Sequence, residues 1–595
     1  MTGGSRGRAL LLALGAVPLA VAAAPKAGTK ALLAPMVVAQ LPVVAATPSA
    51  LAGDALRTRS GEGGRLVLVP PRGKARVLTA SFRSAADPEV SFDGKSILFA
   101  AKQAASDPWC IWEMKADGTD PRKVSCGAAG ARQPTYESTV YTLTAKNVEP
   151  WVQVAFVGLN PGERNEKGDA PNTSLWSCKT DGTALRRLTY NLSNDMDPAI
   201  LPDGRMVYAG RLRSPGREPG DRVALLGVNE DGTDYQTYAG DQGLPVKRMP
   251  TPTAGGLVVF VEADHIGGDG AGRLASVSQV RPLHTYRPLT AESDGLFRAP
   301  SPLPDGRVLV AWRPGPREGR FGIYRFDPAT GAREKAFEDT AWDSVQARLV
   351  APRPMPDARS SVVRDDDLEG KLFTIDVGIQ TPGVSLPNGT ARRLRLVEGV
   401  PASADRPAER RLLGEIPLAE DGSYQVQVPA NTPVQLQVLD ADGLAICSSA
   451  WLWVRNHAAQ GCVGCHEDPE RTPPNRLAKA LLTPAPILNL PPEKRRTVTY
   501  AADVRPIVES RCLGCHGKAG LPPRLDAGAS ALRPSLVPGE ARRSRLTWHL
   551  LGRNASRPWD AEVNAPAPGA LPASAALSPD EVRAFIEWID LGGQP

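Results

Sequence analysis

Short apolar runs punctuated by turn residues fill the first two thirds of the chain. Ser96-Ile97-Leu98-Phe99-Ala100, Met206-Val207-Tyr208-Ala209 and Val308-Leu309-Val310-Ala311-Trp312 follow Asp93-Gly94, Asp203-Gly204 and Asp305-Gly306. Runs this short between such turns predict strands joined as hairpins. Further turns stand at Asp117-Gly118-Thr119, Asp181-Gly182-Thr183 and Asp231-Gly232-Thr233. A proline keeps time with them at Pro88, Pro134, Pro198, Pro250 and Pro300, with Pro352 as a candidate sixth. The interval is roughly 50 residues, room for four short strands, which is the arithmetic of a propeller blade. The pattern predicts a β-propeller of about six blades over residues 63–356.

From 357 to 455 the repeat is lost but the alternation of a half-buried strand persists, in Tyr424-Gln425-Val426-Gln427-Val428 and Val434-Gln435-Leu436-Gln437-Val438. This predicts a small β-sandwich. Helical signals enter only near the C-terminus. Val504, Ile507 and Val508 share one face, with Pro506 tolerable only in a first turn. Ser578-Pro579-Asp580-Glu581 is a capping box, followed by Val582, Phe585, Ile586 and Ile589 on one face until Gly592-Gly593. The fold expected is therefore mainly β, propeller plus sandwich, with an α-helical tail.

Composition changes this picture little. Glycine and proline, 57 each in 595 residues, favour turns over long helices. A net charge of +6, from 70 basic and 64 acidic residues, gives no reason to expect nucleic-acid binding. The N-terminus adds more. Arg6 and Arg8 precede an apolar run from Ala9 to Ala24, too short for the roughly 20 residues of a membrane span. Residues 1–24 are read as a signal peptide and 25–62 as a linker, since Pro35, Pro42 and Pro48 interrupt the second apolar stretch. The mature chain is expected in the periplasm or outside the cell, with no integral membrane span after cleavage.

Eight cysteines carry the chemistry. Cys462-Val463-Gly464-Cys465-His466 and Cys512-Leu513-Gly514-Cys515-His516 match the spacing at which two thiols bind a haem's vinyl groups and the next histidine reaches the iron. A zinc knuckle or a dithiol pair would not require a histidine after the second cysteine in both copies. Two covalently bound haem c groups are expected, the first in segment 456–499 and the second in 500–595. The helices around the second motif resemble a cytochrome c domain. Cys110 and Cys126 flank a hairpin turn and could be a disulfide or two buried thiols; Cys178 and Cys447 have no evident partner.

Axial ligation narrows the function. No methionine follows Met355, so a His/Met cytochrome is disfavoured. His466 and His516 are the proximal ligands, and His549, 33 residues beyond His516, is the candidate second ligand of haem two. His457 would more easily serve a neighbouring haem or none, and His265 and His284 are read as loop residues. Haem one would then be open on one side. Between 471 and 557 stand 16 Lys or Arg against 5 Asp or Glu, an excess read as propionate neutralisation plus solvent rather than a docking stripe. Asp365-Asp366-Asp367 is read as a solvated loop, because the spaced carboxylates of a calcium site are missing.

The order of parts, with Gly461 leading the first motif, Glu467-Asp468-Pro469 behind it and the phrases Leu413-Gly414-Glu415-Ile416-Pro417 and Asp421-Gly422-Ser423-Tyr424, resembles the hydrazine synthase α-subunit family. The propeller repeats resemble TolB-like proteins. The family resemblance implies that His466 and His516 are proximal ligands, that His549 matches a distal histidine, and that haem one is the catalytic candidate. It also implies an aromatic oxygen shortly after the first proximal histidine, where this chain has Glu467, Asp468, Pro469 and Glu470. Two readings follow. One is an exported di-haem cytochrome carrying electrons to a redox partner protein. The other is a haem-dependent oxidoreductase of small nitrogen compounds, working in a hetero-oligomer. No catalytic side chain is assigned in either.

Overall fold

The computed structural model describes residues 34–43, 61–143, 149–212, 222–266, 269–316, 318–379, 386–387, 389–465, 468, 470, 472, 475–517, 520–569 and 571–595. Residues 1–24, read as a signal peptide, and most of the stretch read as linker lie outside them. The chain is mainly β. Its larger part is a ring of mostly antiparallel sheets, three of four strands, one of five and one of eight among the described residues, a propeller-like arrangement. The innermost strands are Ser84–Val90, Ala131–Thr142, Asp195–Ile200, Val246–Pro252, Leu296–Pro302 and Trp342–Leu349, each beside the next and the last beside the first.

Closure corrects one expectation. Within the stretch read as linker, Met36–Pro42 is a strand, paired on one side with Trp342–Leu349 and on the other with Arg65–Val69. Met36, Val37, Val38 and Ala39 are buried in the apolar core they share with Phe99, Leu309 and Phe321. The prolines that argued against a helix are compatible with a strand that ends at Pro42. One N-terminal strand thus latches the two ends of the ring.

The proline timekeeper has a structural cause. In the first five inner strands the residue before the proline has a positive φ: Asp87 (54°), Gln133 (52°), Asp197 (53°), Met249 (53°) and Ala299 (45°). The ladder register shifts at each of these places. Each is a β-bulge, which leaves a position unpaired and so accommodates a residue without an N–H. Pro352 lies beyond the last inner strand and takes no part.

The bulges also bind neighbouring sheets together. Asp87 accepts hydrogen bonds from Arg132 Nε (2.6 Å) and the Gln133 backbone N–H (3.1 Å). Asp197 accepts from the Arg248 guanidinium, from the Met249 N–H (3.1 Å) and from Gln133 Nε2 (2.5 Å). Burial alone would raise the Asp197 carboxyl, but Arg248 and these donors hold it below the usual carboxylate value. Asp197→Ala would leave the buried Arg248 without its counter-charge. It is expected to cost about 3–5 kcal/mol, read as a lowered midpoint of thermal unfolding, with Asp197→Asn costing less.

Beyond the ring, a three-stranded sheet, including Glu369–Thr374 and Tyr424–Pro429, faces a five-stranded one that includes Arg393–Val400 and Val434–Leu439. Leu372, Val426 and Val428 meet Leu394, Leu396, Leu436 and Val438 in one core. The C-terminal segment packs on the far side of this sandwich. A helical run over 500–516, its turns partly widened, buries Val504 and Val508. Pro506 therefore sits beyond the first turn, contrary to expectation. Widened turns on either side relax the tight hydrogen-bond ladder that a missing N–H would interrupt. The terminal helix Pro579–Asp590 is capped as its sequence specifies, with Ser578 Oγ accepting from the Glu581 N–H (3.2 Å) and Glu581 accepting from the Ser578 N–H (2.7 Å). Among the described residues no helix is long and apolar enough to cross a membrane.

Candidate functional site

The first cysteine motif begins inside the sandwich. Ala459–Cys462 is an edge strand parallel to Glu369–Thr374, with Cys462 opposite Thr374. The backbone beyond it is pinned by the neighbouring loop. The Cys462 carbonyl accepts from Thr374 Oγ1 (3.1 Å) and the Ile375 N–H (3.2 Å), the Val463 carbonyl from the Asp376 N–H (3.2 Å), and the Cys465 N–H donates to Ile379 (2.9 Å). Both glycines of this segment are demanded by packing. A Cβ on Gly461 would meet the Phe373 ring at 2.4 Å, and one on Gly464 the Ile379 carbonyl oxygen at 2.1 Å. Cys465 reaches the sandwich core, where its Sγ lies 3.1 Å from that of Cys447.

His466, Glu467 and Pro469 lie outside the described residues, but Asp468 and Glu470 show where the chain goes next. Asp468 is buried and its carboxylate meets His284 Nε2 at 2.5 Å. Glu470 accepts from the Leu283 N–H (2.9 Å) and pairs with Arg281 (3.4 Å). Segment 281–284, from the propeller-like ring, thus clasps the residues behind the first motif, with one ligating atom each from His284, Asp468 and Glu470 within 4.8 Å of one another. Sequence reasoning left His284 as a loop residue. Its partner is 184 positions away, and no local spacing could reveal the pair. A polar cavity of about 320 Å³ opens at the root of the strand that carries the motif. Asn229, Asp231, Asp234, Arg359, Ala458 and Ala459 contribute to its wall.

The second motif ends the helical run 500–516. Cys512 and Leu513 pack against the core of the C-terminal segment, Cys515 is exposed, and Gly514 has open space around it. His516 Nδ1 lies 3.1 Å from the Leu521 carbonyl oxygen and 3.2 Å from that of Pro523. Carbonyls only accept, so Nδ1 carries the hydrogen and the Nε2 lone pair is left for a metal. This is the tautomer that suits a haem iron. His549 is exposed on the helix Arg545–Leu551, beside the fully buried Trp548. Leu546 and Leu550 of that helix border the same core as Cys512 and Leu513.

The remaining sequence candidates resolve differently. Cys110 and Cys126 form a disulfide. Cys178 is buried, and burial pushes its thiol up to about 12. His457 Nδ1 meets the Asp367 carboxylate (2.9 Å) and Arg364 pairs with Asp366 (2.9 Å), so two of the three acids are already engaged. The basic excess is corrected too. Most of its described members pair with acids, including Arg476 with Asp376, Arg495 with Glu398, Arg542 with Asp560 and Arg557 with Asp440. Many of those acids lie outside the 471–557 window, which is why a local count could not show the balance.

Residues 380–467 match the model of the hydrazine synthase alpha subunit middle domain, so the match ends one residue after the first CxxCH motif. Hydrazine synthase subunit alpha of Kuenenia stuttgartiensis is 24% identical, over 90% of this chain and 88% of that protein. The solved structure of hydrazine synthase from the same organism superposes with a TM-score of 0.79 at 22% identity, covering 94% of both chains. TolB from Acinetobacter baumannii aligns over 53% of this chain and 66% of its own, at 11% identity and a TM-score of 0.35. The chain carries a hydrazine synthase alpha subunit middle domain, set in a fold that it shares along nearly its whole length with hydrazine synthase.

Proposed function

We propose that this chain is an exported haem-dependent oxidoreductase subunit, hydrazine synthase alpha-like, that acts on small nitrogen compounds within a hetero-oligomer. The observation that carries the reading is the seat of the first CxxCH motif, built into the sandwich edge at the end of the matched middle domain. Cys462, Cys465 and His466 would hold haem one, and Cys512, Cys515 and His516 haem two, both covalently. Held there, haem one would supply redox chemistry and an iron to which a small ligand could bind. This chain's residues orient it: the bonds to Thr374, Asp376 and Ile379 fix the motif's backbone, and the His284 clasp fixes the chain behind it. The polar cavity at Ala458 and Ala459 suits a small hydrated nitrogen compound rather than an apolar one. Where the family resemblance implies an aromatic oxygen, Asp468 is committed to His284, so the compound transformed need not be the one the synthase handles.

In this reading the ring is a six-bladed propeller, residues 500–595 are a cytochrome c-like domain, and haem two, held by Cys512, Cys515 and His516, would supply one-electron chemistry for exchange with a periplasmic redox partner. The Nδ1–H tautomer of His516 supports its holding that haem's iron through Nε2, and His549 would be a further ligand. The full-length likeness to a synthase subunit supports an enzyme over a simple carrier.

The test is optical. Protein matured in a host that attaches haem c is expected to carry two covalent haems, one of which binds carbon monoxide when reduced. If neither binds the gas, the enzyme reading loses its open site. His549→Ala is expected to turn haem two into a second gas-binding haem, roughly doubling the carbon monoxide bound. An unchanged low-spin spectrum would remove His549 from the ligand set.

A further inference from the structure

Eight cysteines divide here into four that suit haem attachment, one disulfide, one deeply buried thiol and one remainder, Cys447. Cys447 lies on the strand Ala445–Ser448 in the five-stranded sheet, opposite Val438. Cys465 belongs to the turn that follows the edge strand of the other sheet. Their sulfurs approach to 3.1 Å across the shared apolar core. A disulfide bond is about 2.05 Å long, so a small adjustment of the two side chains closes it. The hydrogen bond from the Cys465 N–H to Ile379 holds the turn where this contact is made. Cys178, with its thiol pushed up by burial, is a poor competitor.

We propose that Cys447 and Cys465 form a disulfide in the haem-free exported chain, and that its reduction is the step that releases Cys465 for haem attachment. The release half rests on the haem reading above; the disulfide half does not. Cys110–Cys126 shows that the fold already accommodates an oxidised pair. The bond forms by exchange: an external disulfide takes up two electrons and two protons and leaves as two thiols, while the two protein thiols become one S–S bond. Thioether formation is different, because the Cys465 S–H adds across a vinyl C=C with no net electrons. A disulfide sulfur has no hydrogen to add. An external dithiol must therefore first reduce the pair, becoming a disulfide itself. In the haem-free chain the bond would also staple the two sheets of the sandwich and protect Cys465 from over-oxidation.

Two measurements on the full chain test this. Haem-free protein exported to an oxidising compartment is alkylated without reduction and digested, and its peptides are weighed. A cross-linked pair containing Cys447 and Cys465 is expected, with Cys110–Cys126 as the internal control. The proposal is overturned if the control is linked while Cys447 is alkylated, or if Cys465 is joined to Cys462 instead. In the second measurement, wild type and Cys447→Ser are matured over a series of thiol reductant concentrations, and haem on the 462–465 peptide is quantified. Occupancy in the wild type is expected to rise several-fold with reductant, and in Cys447→Ser to be high throughout. Equal dependence in both would overturn the release step. Haem missing from that peptide at every concentration in both proteins would refute the haem reading and the release step together, while the first measurement still decides the disulfide.

Discussion

Asp590→Ala is expected to loosen the C-terminal helical segment from the sandwich and to destabilise the chain by about 3 kcal/mol or more. Asp590 ends the terminal helix and is completely buried. Its carboxylate accepts from the Ala541 N–H (2.7 Å) and the Ala445 N–H (3.1 Å), and faces Arg395 Nη1 at 3.5 Å. Its backbone carbonyl accepts from Gln437 Nε2 (3.0 Å). Alanine would leave two buried N–H groups without acceptors and weaken the neutralisation of Arg395, which would keep Glu415 at 2.9 Å. Burial, opposed by Arg395 and the two N–H donors, pushes the Asp590 carboxyl up to about 6. An acid raised in the folded state binds protons there that the unfolded chain has already lost. Its contribution is therefore full below the ordinary carboxylate value and falls as pH rises to about 6. Thermal unfolding across that range should show this slope in the wild type and lose it in Asp590→Asn. An alanine variant that melts like the wild type would show that this residue does not hold the two parts together.

Gly464→Ala is expected to stop the first motif from seating and so to deprive the protein of haem one, whereas Gly514→Ala should leave haem two in place. The two glycines occupy the same position in the same five-residue pattern. What distinguishes them is their surroundings. At Gly464 a methyl group would lie 2.1 Å from a backbone carbonyl oxygen, a contact that only movement of the turn can relieve; at Gly514 it would meet nothing within 4 Å. Forced overpacking of this kind costs typically about 1–3 kcal/mol and shifts the backbone, here the backbone that carries Cys465 and leads to His466. Counting covalent haem per chain, with peptide masses to locate it, checks both variants. Equal loading of both motifs in Gly464→Ala would show that the sandwich does not shape the first site.

Local patterns carried much of this protein's organisation because the physics behind them is local. A hairpin needs Asp-Gly where the chain reverses, a bulged inner strand accepts proline where no N–H is required, and Ser578 with Glu581 caps a helix from within four residues. The two CxxCH motifs are equally local, since thiol spacing is set within five positions. The linker reading failed at Met36–Pro42 because three prolines excluded a helix without excluding a strand, and the partner Trp342–Leu349 lies some 300 residues away. His284, read as a satisfied loop residue, is one, but its partner Asp468 stands 184 positions away, where no local pattern could name it. The basic excess near the C-terminus was legible as charge but not as ion pairs, because many of the acids that answer it come from the sandwich.

Sequence alone determined the kinds of element, the blade-like repeat and the two thiol pairs, since each depends on dihedral preference, side-chain periodicity or covalent reach over a few residues. Only the tertiary structure decided that the first motif is an edge strand of a sandwich, that a loop of the ring clasps the chain behind it, and that Cys447 stands against Cys465. Those contacts join residues brought together by packing of separate elements. Their free energy resides in burial and charge pairing across the fold, which no window of neighbouring residues contains.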